Sequence, residues 1–377
     1  MKLTGDWLRA GHVQAVLAML SAGGHQALLV GGCVRNDAIG APVSDIDIAT
    51  DARPERVMEL AKRAGLKFVP TGFEHGTITV IAEGHPHEIT TFRRDVETHG
   101  RHATVAFSED LVEDAARRDF TMNALYARAD GEVLDPLGTG IADLRARHVR
   151  FVGDAQARIQ EDYLRILRFF RFTAWFGHDL DPEGLAACAA NSAEIETLSR
   201  ERLGAEMKKL LAAPDPAPAV AAMAQAGILM AVLPGADARA LAPLIHLEDR
   251  PANPMRRLAV LGGVNVAHRL RLSKAEARQL ARLREAMVSP ERPEVLGYRL
   301  GAQEGADAFL LHHALIGQEL PQNWQNRLCF GANQVFPVTG ADLMPALQGP
   351  ELGARLRQIE AHWIASDFTL TRDELLA

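Results

Sequence analysis

Short β-branched runs separated by turn residues fill the first third of the chain. LLVGG at 28–32, SDIDIAT at 44–50, FVPTG at 68–72, GTITVIAEG at 76–84 and HEITTF at 87–92 each read as a strand, with amphipathic helical stretches between the earlier ones. From Asp143 onward the apolar residues recur at helical spacing almost to the end. Pro214, Pro216 and Pro218 interrupt that pattern and mark a boundary. The N-terminal stretch, MKLTGDWLRAGHVQAVLAMLSAGG, is an amphipathic helix rather than a signal peptide. No apolar run reaches the ~18 residues of a membrane span. The pattern therefore predicts an α+β protein, a mixed sheet with helices in an N-terminal head followed by an all-helical remainder.

Chemistry concentrates where strand and turn signals meet. In SDIDIAT, strand alternation places Asp45 and Asp47 on one side and sends Ile46 and Ile48 to the core. Two carboxylates held side by side repel unless a cation sits between them, which points to Mg²⁺; a solvated loop or a cap is the other reading of the same pair. Just upstream, the Gly31-Gly32 turn lets backbone N–H groups approach phosphate oxygens, and Arg35 adds a fork of donors. Arg117, Arg118, Asp119 and Asn123 form a second cluster, able to hold a ribose and a triphosphate or to serve as an ion-pair network on a helix end.

These residues carry a resemblance. GGCVRNDAIGAPVSDIDIAT and RRDFTMNALY resemble the first two motifs of the class II tRNA nucleotidyltransferases, the bacterial CCA-adding enzyme and poly(A) polymerase family of the polymerase-β superfamily. DPLGTGIADLRARHVRFVGDAQARIQEDYLRILRFFRF resembles the third and fourth motifs and RERLGAEMKKLL the fifth, all in order between residues 28 and 211. Asn36 departs from the family's usual Asp; it keeps an acceptor oxygen without the charge, so a capping role survives.

The resemblance implies a polymerase-β-like head at 1–140, a helical neck at 141–212, and a helical body and tail for tRNA binding at 213–377. It implies template-independent addition of C, C and A to tRNA 3′ ends from CTP and ATP, with Mg²⁺ held by Asp45 and Asp47. Same-class alternatives are an A-adding enzyme and a poly(A) polymerase; a non-catalytic RNA-binding protein is the alternative from another class. A third carboxylate belongs to such sites, and Glu88 is its candidate, on a strand expected to pair antiparallel to DIDIA. Gly31, Gly32, Arg35 and Asn123 would cradle the triphosphate, and Arg118 and Asp119 would contact phosphate and ribose.

On EDYLRILRFFRF, read as one helix, Asp162 and Arg165 share a face, with Arg158 one turn earlier. A carboxylate accepts from an exocyclic amino group and a guanidinium donates to ring acceptors, so this pair can read cytosine and adenine edges, as the matching residues do in the resembled family; Arg168 joins the nucleotide-binding set. An intrahelical salt bridge is the other use of the pair.

Net charge is −7 at 377 residues, unexpected for an RNA binder unless the basic surface is local. Arg145, Arg147, Arg150, Arg158, Arg165, Arg168 and Arg171 crowd one segment, which predicts a basic groove on an acidic body. Cys33, Cys188 and Cys329 are isolated, arguing against a disulfide framework or structural zinc and for the cytoplasm. His312 and His313 are adjacent and diverge on a helix, so they are not a shared metal site.

Overall fold

The apolar triplet Leu28–Val30 forms the buried strand β1, and the chain turns at Gly31 into α2 (Gly32–Ala38), preceded by α1 (Gly11–Ala22). The computed structural model describes every residue except 100, 101, 290 and 345, and for the rest of 95–105 the backbone alone. Next come β2 (Asp47–Thr50), α3 (Pro54–Arg63), β3 (Lys67–Gly72), β4 (Thr77–Ala82) and β5 (His85–Thr91). A hairpin of β6 (Arg93–His99) and β7 (His102–Phe107) follows, then α4 (Leu111–Ala116), β8 (Tyr126–Ala127) and β9 (Val133–Leu134).

Seven of these strands make one mixed sheet in the order β3-β4-β5-β2-β1-β8-β9, and β6 pairs with β7 in a separate ribbon. The expected strands all form; the β6–β7 ribbon was not among them. Two corrections concern the strand that carries the aspartates. It begins at Asp47, so Asp45 lies in the extended approach, and Ile46 is only half-buried while Ile48 is fully buried. The strand beside it is β5, and the pairing is parallel, Asp47 opposite Glu88 and Ile48 opposite Ile89, not antiparallel. Leu28, Val30, Ala49, Phe92, Ala124 and Tyr126 pack as one apolar cluster beneath this sheet.

Beyond the sheet the chain is helical: α5 (Gly140–Ala146), α6 (Ala155–Glu161), α7 (Leu164–Phe176), α8 (Pro182–Ala190) and α9 (Arg200–Leu211). Two compact units result, one of Met1–Pro234 with His268–Arg271, the other of Gly235–Ala267 with Leu272–Ala377. The second unit is held by an apolar cluster of Val338, Ile359, Trp363, Phe368 and Leu375. It also buries an ion network in which Glu248 binds Arg256 at 2.9 Å and Arg257 at 2.6 Å, and Asp307 binds Arg256 at 2.7 Å. Among the described residues no helix is long and apolar enough to cross a membrane.

Candidate active site

The parallel register of β2 and β5 is what assembles the carboxylates, because opposed residues of neighbouring strands project to the same face. Asp45, Asp47 and Glu88 line one cavity of about 520 Å³, together with Ser44, Thr79 and His12. Partial enclosure, then the Glu88 charge and more weakly Asp45, push the Asp47 carboxyl above its ordinary range, while Arg118 pulls the other way. Three hard oxygen donors crowded at the cost of mutual repulsion fit a divalent cation such as Mg²⁺, which characteristically takes one or two carboxylates and completes its shell with water and substrate phosphate. Among the described residues no group of three His, Cys, Asp or Glu side chains is placed to hold a metal ion by itself.

The glycine turn has a backbone that glycine alone adopts freely. Gly31 has φ 71° and ψ −119°, a conformation that L side chains rarely adopt, and a Cβ there would lie 3.5 Å from the Arg118 guanidinium. Arg35 is buried, stacks 4.0 Å from the Phe176 ring centroid and 5.1 Å from that of Phe172, and donates to Asn123 Oδ1. Burial lowers its pKa to about 10, the Asp119 charge opposing and the Arg171 and Arg168 charges adding to the fall. Asn36 is not a cap. Its Oδ1 accepts from Arg35 Nε at 3.1 Å and Nη2 at 2.8 Å, and its amide donates to the Pro42 carbonyl, so it braces Arg35 from inside α2. Asp37 turns the other way and accepts from the Gly5 N–H and the Trp7 indole.

The second cluster is a pair of buried networks. Arg118 donates to Tyr126 Oη at 3.0 Å and to Asp114 Oδ2 at 3.1 Å, and the Tyr126 hydroxyl donates to the same Asp114 oxygen at 2.6 Å. Burial alone would lower the Arg118 pKa; the Tyr126 and Asp114 oxygens reverse this and hold it above the ordinary value. Asp119 accepts from the Phe120 N–H at 2.9 Å, Asn123 Nδ2 at 2.9 Å and Arg168 Nε at 2.8 Å. Burial would raise the Asp119 carboxyl, but Arg168, Asn123 and Phe120 more than offset it and keep it low. One network thus runs from Arg35 through Asn123 and Asp119 to Arg168.

The stretch expected to be a single base-reading helix is broken. Asp162 has φ −156° and ψ 103°, which ends α6, and its Oδ1 accepts from the Leu164 N–H to start α7. Asp162 and Arg165 therefore share no helix face and form no salt bridge with each other. Asp162 Oδ2 instead accepts from Arg202 of α9 at 2.6 Å, and Arg165 pairs with Glu161 and donates to the Arg158 carbonyl at 2.7 Å. Ile159, Ile166, Phe169 and Phe170 are fully buried, as the apolar face of this segment requires.

Most of the arginines expected to line a basic groove have acidic partners. Arg150 grips Asp143, Arg158 and Arg165 share Glu161, Arg168 holds Asp119 and Arg171 holds Glu206. Arg145 remains exposed and Arg147 half-buried. Sequence reasoning missed Asp114, Tyr126 and Arg202, although Asp114 and Arg118 at i and i+4 carried a helical ion-pair signal. It also missed a histidine group beside the carboxylates, in which His12 Nδ1 and His87 Nε2 lie 2.9 Å apart. Burial, with His12 and His85 adding, pushes His87 down to about 4, so this ring is neutral near pH 7.

A mixed sheet that brings carboxylates together beside a glycine turn is the framework of a nucleotidyltransferase head, and the comparisons with known proteins give that class. Residues 27–150 match the poly A polymerase head domain, and residues 177–239 match the probable RNA and SrmB-binding site of polymerase A. The human mitochondrial CCA tRNA nucleotidyltransferase 1 is 33% identical over 94% of this chain and 86% of its own length. The CCA-adding enzyme of Geobacillus thermodenitrificans is 41% identical over 58% of this chain and 54% of its own. The crystal structure of the Bacillus stearothermophilus CCA-adding enzyme in complex with CTP superposes with a TM-score of 0.77 at 28% identity, over 94% of this chain and 93% of that one. The chain belongs to the CCA-adding tRNA nucleotidyltransferase family and is an enzyme of nucleotidyl transfer.

Proposed function

We propose that this enzyme adds C, C and A in turn to the 3′ end of tRNA, taking CTP and ATP without a template and releasing pyrophosphate. The observation that carries the reading is the β2–β5 register, which sets Asp47 beside Glu88 with Asp45 in the same cavity. The RNA 3′-hydroxyl attacks the nucleotide α-phosphate in line. Asp45 and Asp47 would hold Mg²⁺, which would lower the pKa of that hydroxyl and neutralise charge on the leaving group. Glu88 completes the acidic wall. Gly31 and Gly32 offer backbone donors to the triphosphate, and Arg35, oriented by Asn36 and Asn123, adds its guanidinium. Arg118 and Asp119 contact phosphate and ribose.

Base choice falls to Asp162 and Arg165, with Arg168 among the other nucleotide contacts. Each already has a protein partner, so the base edge competes with Arg202 for Asp162 and with Glu161 for Arg165. Cytosine and adenine each set an exocyclic amino donor, suited to Asp162, beside a bare ring nitrogen, suited to Arg165, whereas uracil and guanine carry a carbonyl and a ring N–H at those places. Residues 1–140 act as catalytic head, 141–212 as neck, and 213–377 as body and tail that bind tRNA. The free thiols of Cys33, Cys188 and Cys329 fit a reducing compartment, and we assign the cytoplasm.

The test is product sequencing. Purified enzyme is given tRNA lacking CCA, tRNA ending in CC, and an unrelated RNA, each with CTP, ATP or both. Completion of CCA on the first and of A on the second supports the reading. Addition to the CC end alone, a long A tail, or no addition overturns it.

A further inference from the structure

β2 begins at Asp47, opposite Glu88, so residues 85–87 of β5 run past the end of β2 and border a notch in the sheet. Three histidines gather there. His12, on α1, stacks on His85 with ring centroids 4.1 Å apart and planes 16° apart, and lies 5.0 Å from the His87 ring. His87 is only 1% exposed, bonds His12 through Nε2, and leaves its Nδ1 without a hydrogen-bond partner. His85 is exposed, its Nδ1 fixed by the Glu83 carbonyl. All three rings line the cavity that holds Asp45, Asp47 and Glu88.

We propose that the exposed His85 ring, backed by His12 and anchored through His87, is a stacking platform for the base at the 3′ end of the RNA acceptor. A flat, exposed, braced ring is what a base needs, because stacking on an aromatic face tolerates any base. An acceptor for tRNA repair must tolerate changing bases, since its terminal nucleotide changes after every addition. Three residues apart on β5, the His85 and Glu88 side chains leave the strand on opposite faces, and they meet only in the cavity that both line past the end of β2. The His87 ring is buried and serves as the anchor for His12 rather than as a contact to the RNA.

The proposal rests on the acceptor being RNA, and its test separates the two ideas. Steady-state kinetics with CTP and tRNA lacking CCA are compared for wild type, His85→Ala and His85→Phe, alongside binding of an acceptor with 2-aminopurine at its 3′ terminus. His85→Ala is expected to raise KM for RNA by about 5-fold to 100-fold, leave KM for CTP and the melting temperature unchanged, and abolish the 2-aminopurine quenching. His85→Phe is expected to restore both. An active wild type whose RNA KM and quenching ignore His85, or a Phe variant no better than Ala, overturns the platform alone. A wild type that extends no RNA overturns the underlying reading, and the platform with it.

Discussion

Replacing Asp114 with Asn changes one atom and tests whether the second cluster is held together by charge. Asp114 is 3% exposed at its side chain and is the carboxylate against which Arg118, 21% exposed, and Tyr126 both close. Asn keeps an acceptor for the tyrosine but leaves the guanidinium without its counter-ion. Breaking a buried pair costs roughly 3–5 kcal/mol; the exposed fifth of Arg118 recovers some hydration, so about 2–3 kcal/mol is expected here. In a unit of this size that corresponds to a fall of roughly 4–12 °C in the first calorimetric transition. Arg118→Met alone also destabilises, but the double variant should recover at least about 1 kcal/mol relative to the sum of the singles, the sign of a pairwise interaction. KM for CTP should rise in Asp114→Asn because Arg118 loses its fixed position beside Gly31. A loss below about 0.5 kcal/mol, or strictly additive singles, would refute the charge-locked network.

Three further outcomes follow from the same geometry. Asp162→Ala should erode discrimination among CTP, ATP, UTP and GTP by about 1–3 kcal/mol, read as incorporation ratios; an unchanged ratio would reduce Asp162 to a structural tie for Arg202. Because the folded Asp119 carboxyl lies below its unfolded value of about 3.9, the stability it contributes is complete above that value and lost as pH falls through the folded one; the urea midpoint should drop below about pH 4 in wild type and less steeply in Asp119→Asn. Arg145→Glu should flatten the salt dependence of tRNA affinity by a log–log slope of about 0.7–0.9 per lost phosphate contact with an unchanged melting temperature, whereas Arg150→Glu should lower the melting temperature first, because it breaks the grip on Asp143; the reverse pattern would place the RNA path on Arg150.

The strands were legible because alternation of apolar and polar residues is a local property, and Ile48, Ile78, Val80 and Ile89 all lie at 0% exposure as that alternation requires. Alternation served the acidic pair less well, because β2 starts at Asp47 and Asp45 lies ahead of it. Which strand stands beside β2 was not legible, since β2 and β5 are separated by two intervening strands and only the finished sheet decides that they run parallel. The break at Asp162 was hidden by periodicity: apolar spacing continues unchanged from Ile159 to Phe170, and the residue that stops the helix does so through its own extended backbone, its side chain accepting from the Leu164 N–H. The neck arginines misled for a related reason. Asp119 lies 49 positions from Arg168, and a charge count along the chain shows the cations without their distant partners.

The most direct measurement is single-turnover incorporation of one CMP into tRNA lacking CCA by wild type and by Asp47→Asn, across a titration of Mg²⁺. Asp47 is exposed at the start of β2, so the substitution removes ligand charge without disturbing the core. Metal-assisted stabilisation is worth several kcal/mol, so the rate should fall by about a hundredfold or more with the melting temperature unchanged, and added Mg²⁺ should not restore it. A variant that turns over near the wild-type rate at the same Mg²⁺ would contradict the assignment of this cavity as the catalytic centre.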